Sequence, residues 1–153
     1  MTDRIEAKVT HRFAAGPEQV YQALVDPDLA RRWNEAWLLH DGGTGMLTRF
    51  EFDPQPFGRY HIAGTRNGEA SESWGGFLTL EKPTKLSYTW IVDPAEEADP
   101  SVVTIIVEPE PDGPGSVVTL YNAMGAEWAE WLPQTERGWQ AMLGAVEQVL
   151  GQS

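Results

Sequence analysis

Cysteine is absent from this 153-residue chain. Disulfides, thiolate metal sites and a cysteine nucleophile are therefore excluded. Positive charge is scarce as well: no Lys or Arg stands between Lys85 and Arg137, a stretch that carries Asp93, Glu96, Glu97, Asp99, Glu127 and Glu130 among its acids. With a net charge of −12, such a surface repels a phosphate backbone and an anionic membrane alike. The charge mainly serves solubility, and attraction of a basic partner is the lesser alternative. No apolar run approaches the ~20 residues of a membrane span. The opening MTDRIEAKVTHRF is charged and alternating, unlike a secretory signal or transit peptide. The expected location is the cytoplasm, with no nucleic acid and no membrane as partner.

The length fits one domain spanning 1–153, long enough to bury roughly 70% of its unfolded surface. Arg4 to Phe13 alternates Ile5, Ala7, Val9 and His11 against Glu6, Lys8, Thr10 and Arg12, the pattern of a half-buried strand. Pro17 opens a helix with Val20, Ala23 and Leu24 on its apolar face, and Asp26-Pro27 ends it. Asp26 then caps a second short helix whose first residue is Pro27, with Leu29 and Trp33 turned inward. Strands are expected over residues 46–53, 58–63, 71–81, 85–92, 102–108 and 116–122. Asn67-Gly68 marks a type I′ hairpin. The Pro94–Pro100 and Pro111–Gly115 segments read as mobile loops. Residues 125–132 read as a short extra helix. From Pro133 to Leu150, Trp139, Met142, Leu143, Val146, Val149 and Leu150 recur at spacings of three and four, one stripe on a long helix. The fold class is α+β: a curved antiparallel sheet of about seven strands wrapped around that C-terminal helix, with two short helices between strands 1 and 2.

These residues also carry a resemblance. Ala15-Gly-Pro-Glu-Gln-Val20, Ala23-Leu24 and Asp26-Pro27 leading to Trp33 resemble the opening of the activator-of-Hsp90-ATPase C-terminal-like family. Phe52-Asp53-Pro54 leading to Gly58-Arg59-Tyr60, Leu86-Ser-Tyr-Thr-Trp90, Val118-Thr-Leu120 and Gly138-Trp139 continue the match in order. The resemblance implies the START-like, polyketide-cyclase-like superfamily and its helix-grip fold. Two positions depart from the family pattern. Phe57-Gly58 stands where a Gly-Gly pair is usual, so the bend there is expected to differ. Asn122 stands where many relatives carry His, which removes any chemistry that needs an imidazole there.

Helix-grip architecture leaves room for a cavity, and seven Trp are available to line it. The expected ligand-binding set is Trp33, Trp37, Phe50, Phe52, Tyr60, Trp74, Tyr88, Trp90, Trp139 and Met142. Trp33 and Trp37, from the second helix and the loop after it, are placed at the mouth. The plain alternative is a packed aromatic core. Glu72, sharing a strand face with Trp74, is the candidate polar group in the cavity, against a solvated Glu72. Glu51 and Asp53 alternate away from Phe50 and Phe52 and are expected to be wet, with Arg49, Arg59 and Arg66 as their outer-face partners. His61 is expected to face solvent. Trp128 and Trp131 are expected to cover the cavity end as a lid, with an exposed protein-contact patch as the alternative.

His11, His40 and His61 show no metal-ligand spacing, so no metal and no cofactor are expected. Ser71 and Ser73 lack a nucleophile-elbow context, and Gly42-Gly43-Thr44-Gly45 lacks the lysine of a phosphate loop. No catalytic residue is assigned. The expected function is binding of a small, mostly hydrophobic ligand by a monomer or homodimer. A cyclase- or hydrolase-type enzyme and a stress-response or chaperone-associated contact module are the alternatives.

Overall fold

The computed structural model describes residues 4–151. Chain order is β1 (Arg4–Phe13), α1 (Pro17–Val25), α2 (Pro27–Leu38), β2 (Gly45–Phe52), β3 (Arg59–Arg66), β4 (Glu69–Glu81), β5 (Lys85–Trp90), β6 (Ser101–Pro109), β7 (Ser116–Gly125) and α3 (Leu132–Gly151). Short 3-10 turns span His40–Gly42, Pro94–Glu96 and Ala126–Trp131. The strands form one sheet in the order β1-β7-β6-β5-β4-β3-β2, every pair antiparallel. Register shifts at Leu47/Arg49 and Phe77/Thr79 add local bends, which help the sheet curl around α3.

Local chemistry accounts for the helices. The Gly16 N–H donates to the Gln19 side chain at 3.1 Å, and Pro17 occupies the first turn of α1. The Asp26 carboxylate accepts from the Leu29 N–H at 3.0 Å and starts α2. The Trp33 indole N–H donates to the Ala23 carbonyl at 2.9 Å, locking α2 onto α1. Trp37 lies inside α2 rather than in the loop beyond it, because the helix runs to Leu38. Arg66 extends the helix's ending: its Nη1 donates to the carbonyls of Leu38 at 2.6 Å and His40 at 3.0 Å. A cation suits a helix C-terminus, so Arg66 caps α2 rather than pairing with Glu51 or Asp53. Arg49 is the partner of Glu51.

The α3 stripe enters the core as its spacing predicts. Trp139, Met142, Leu143, Ala145, Val146 and Val149 are buried against Val103, Ile105, Val107, Val118 and Leu120 of the sheet. α3 also packs along β1, where Glu136 accepts the Lys8 backbone N–H at 3.0 Å and covers an edge-strand donor.

Asn67 and Gly68 both take positive φ, 52° and 84°, as a type I′ turn requires. Phe57 also takes positive φ, 66°, while being 89% exposed. The bend therefore keeps a left-handed residue without a glycine at that position. The glycine that follows is needed for space: a Cβ on Gly58 would sit 2.1 Å from the Asp53 carbonyl oxygen. The 94–100 segment is anchored. Asp93 and Glu96 cap its turn, Glu97 accepts the Trp74 indole N–H at 3.2 Å, and Asp99 pairs with Arg4.

Candidate functional site

Alternation along the strands decides which side chains face α3. From β3, Tyr60 and Ile62 point inward; from β5, Leu86, Tyr88 and Trp90; from β4, Ser73, Gly75 and Phe77. Phe52 of β2 and Ile105 of β6 complete the sheet wall, and Leu24, Trp33, Asn34, Trp37, Trp139 and Met142 complete the helical wall. The chamber between these walls has a volume of about 30 Å³. Beyond it lies a larger space of about 280 Å³, lined by Leu38, Leu47, Ser73 and Val92 among others. Asn34, Trp37, Ile62 and Trp90 belong to both walls, so the two spaces adjoin.

Four indoles gather at this boundary. The Trp37 ring centroid lies 6.4 Å from Trp33, 6.2 Å from Trp90 and 5.7 Å from Trp139. Trp90 meets Trp139 edge-on at 4.8 Å. Edge-to-face and tilted pairs are favoured by the ring quadrupole. On the sheet side, Tyr60, Phe77 and Tyr88 contact one another at 5.7 to 6.1 Å. Gly75 permits this geometry, since a Cβ there would lie 2.1 Å from the Thr89 carbonyl oxygen.

The polar groups inside are few and neutral. The Trp139 indole N–H donates to Asn122 Oδ1 at 3.0 Å, with both residues buried. The imidazole-to-amide departure thus has a structural role: Asn122 accepts the hydrogen bond that a buried indole needs. The Tyr60 hydroxyl donates to the Thr89 carbonyl at 2.6 Å. Asn34 donates from Nδ2 to the Ala30 carbonyl at 2.8 Å. Burial pushes the Tyr60 phenol well above its ordinary value, with the neighbouring Tyr88 adding to the effect. Burial alone pushes Tyr88 up. Both are neutral near pH 7, so neither is a base there. Among the described residues, no group of three or more His, Asp or Glu stands where it could hold a metal ion.

Eight of the residues singled out in the sequence surround the chamber: Trp33, Trp37, Phe52, Tyr60, Tyr88, Trp90, Trp139 and Met142. Phe50 is displaced from it; its ring stacks on Phe52 at 5.5 Å and lies under the Arg31 guanidinium at 6.0 Å. Trp74 is a correction, since it lines neither space. Phe77, Gly75 and Ser73 face inward on β4, so Trp74 and Glu72 face out. Glu72 pairs there with His61, its side chain half exposed, and Trp74 lies 5.8 Å from the His61 ring. Glu72 nevertheless borders the 280 Å³ space beside Ser71 and Ser73. Asn34 was not anticipated, although Ala30, Trp33, Asn34 and Trp37 follow the i, i+3, i+4, i+7 rhythm of an inward helix face. Trp131 lines a groove with Trp37, Trp90 and Trp139, while Trp128 is 42% exposed beside the acidic 93–99 segment.

A seven-stranded antiparallel sheet gripping one long helix, with two short helices after the first strand, defines the helix-grip, START-like class. Within that class the match is specific: the family described as Activator of Hsp90 ATPase homolog 1-like protein matches residues 14–151, and the chain belongs to it. No curated protein matches the chain. Solved structures share its fold. Protein SA2116 from Staphylococcus aureus aligns at a TM-score of 0.79 with 18% identity, covering 99% of this chain and 96% of that one. Protein CV1439 from Chromobacterium violaceum aligns at 0.74 with 22% identity, covering 95% and 96%. Protein MLL2253 from Mesorhizobium loti aligns at 0.70 with 24% identity, covering 97% and 98%.

Proposed function

We propose that the protein binds a small, mostly hydrophobic molecule between the curved sheet and α3. The observation that carries this reading is the aromatic chamber and the adjoining 280 Å³ space, with Trp37 and Trp90 in both walls. Ligand sites are concave and mostly apolar with a few placed polar groups, and this one has Asn34, Tyr60 and Tyr88. The reading places the protein in the cytoplasm as a monomer or homodimer, with neither nucleic acid nor membrane as partner. Among the described residues, no helix is long and apolar enough to cross a membrane.

Native and denaturing mass spectra of the purified protein test this. A reproducible extra mass lost on denaturation identifies the occupant. Tryptophan emission supplies a second readout, because Trp33, Trp37, Trp90 and Trp139 form the walls. No extra mass, together with no quenching by a panel of hydrophobic ligands, overturns the reading. A protein-contact role is the second reading, favoured by Trp128 and Trp131 at 42% and 47% exposure and Val92 at 52%. Exposed apolar side chains rimmed by acids suit a basic partner.

A further inference from the structure

We propose that the ligand is uncharged and leads with a hydrogen-bond acceptor that the Tyr88 hydroxyl engages, while its apolar body lies against Trp37 and Trp90. This rests on the cavity being a ligand site.

Tyr88 is only 8% exposed and lines the inner chamber. Its hydroxyl makes no hydrogen bond among the described residues, in contrast to Tyr60 on the neighbouring strand, which is committed to Thr89. Every fully enclosed side-chain nitrogen and oxygen among the described residues has a partner. The Tyr88 oxygen, which has none, is therefore not fully enclosed: its residue is buried, and the hydroxyl keeps an accessible face at the chamber that its residue lines. Asn34 adds a second unfilled position. Its Nδ2 is taken by Ala30, which leaves Oδ1 without a bond among the described residues, on the wall shared by the two spaces.

Size decides what reaches Tyr88. A chamber of about 30 Å³ holds one or two water-sized groups, such as a carbonyl oxygen, and not a ring. The ring-sized remainder of a ligand fits the 280 Å³ space beyond. Charge decides the rest. No Asp, Glu, Lys, Arg or His lines the chamber, so a charged leading group would be buried without a counter-ion. Arg66, His40 and Glu72 border the outer space, but the Arg66 Nη1 is spent on the end of α2, the His40 ring bonds the Trp37 carbonyl at 2.6 Å and Glu72 pairs with His61. A ligand donor beside the acceptor would find Asn34 Oδ1.

The test uses calorimetric titration of the purified protein with three probes of one shape: 2-acetonaphthone, 2-isopropenylnaphthalene and 2-naphthoate. The ketone is expected to bind roughly 3- to 10-fold tighter than the alkene, the worth of one neutral hydrogen bond. Tyr88→Phe is expected to erase that ratio and leave the alkene's affinity alone. Tyr60→Phe is expected to preserve it. A wild-type ratio of one, a ratio that survives in Tyr88→Phe, or tighter binding of 2-naphthoate overturns the anchor while leaving the cavity reading standing. If none of the three probes binds, the anchor is overturned, while the cavity reading still stands or falls by the mass spectra and the quenching panel. Should Tyr88→Phe not fold, the wild type still decides. The carbonyl ¹³C resonance of bound 2-acetonaphthone moves downfield if a hydroxyl donates to it, and an unmoved resonance overturns the anchor.

Discussion

The Asn122–Trp139 hydrogen bond offers the sharpest test of how this core is held. Trp139 is 4% exposed and Asn122 is 2% exposed, and their bond of 3.0 Å joins α3 to β7. Asn122→Leu keeps the side chain's shape and removes the acceptor. The indole N–H is then buried without a partner, a penalty of about 1–3 kcal/mol. The Asn122 Nδ2 contact to the Val102 carbonyl is long, 3.4 Å, and adds little. Trp139→Phe removes the donor and part of the ring, so its cost is an unpaired Asn122 oxygen plus a void, together roughly 2–4 kcal/mol. In the double variant no polar group is stranded, so the two losses fall short of additivity by about 1–2 kcal/mol. Urea titrations followed by far-UV circular dichroism measure all four corners of the cycle. At this chain length a loss of about 2 kcal/mol moves Tm by roughly 4–8 °C. Strict additivity, or an Asn122→Leu cost under about 0.5 kcal/mol, would refute the claim that Asn122 satisfies the indole.

Three further outcomes are expected. Phe57→Gly relieves a left-handed backbone at an 89% exposed side chain, and should stabilise the fold by up to about 1 kcal/mol after the added freedom of the unfolded chain is subtracted. A destabilisation in urea would show that Phe57 packs in solution. Asp26→Ala removes the cap on the Leu29 N–H and should cost about 1 kcal/mol, with the α2 amides losing hydrogen-exchange protection first. Stability should also fall as pH rises above 10. The buried phenols of Tyr60 and Tyr88 are raised in the folded state, so the unfolded chain releases their protons first. The stability they contribute is complete below pH 10 and lost above it. The slope of stability against pH between 10 and 11.5 should flatten when both are Phe, and an unchanged slope would contradict the assignment.

Much of the architecture was legible because it follows local rules. The α3 stripe, the Asp26-Pro27 junction and the Asn67-Gly68 turn each depend on residues a few positions apart, and the structure places them as their spacing implies. Face assignment was the weak link. Counting alternation along β4 from Phe77 puts Trp74 and Glu72 outside, but hydrophobic character alone places Trp74 inside. A large apolar ring on an outer face is stabilised there by His61 and Glu97, neither of which is local to it.

By itself, then, the chain's pattern determined its strands, its helices and the class of fold, since period and capping act over a few residues. Only the tertiary structure decided the site's chemistry. Arg66 closes α2 across 28 residues of sequence, and Asn122 meets Trp139 across 17. Tyr60 and Tyr88 share the same chamber, yet one hydroxyl is satisfied and the other makes no hydrogen bond among the described residues. Those outcomes depend on which strands lie side by side and how closely they approach. Periodicity carries no record of either.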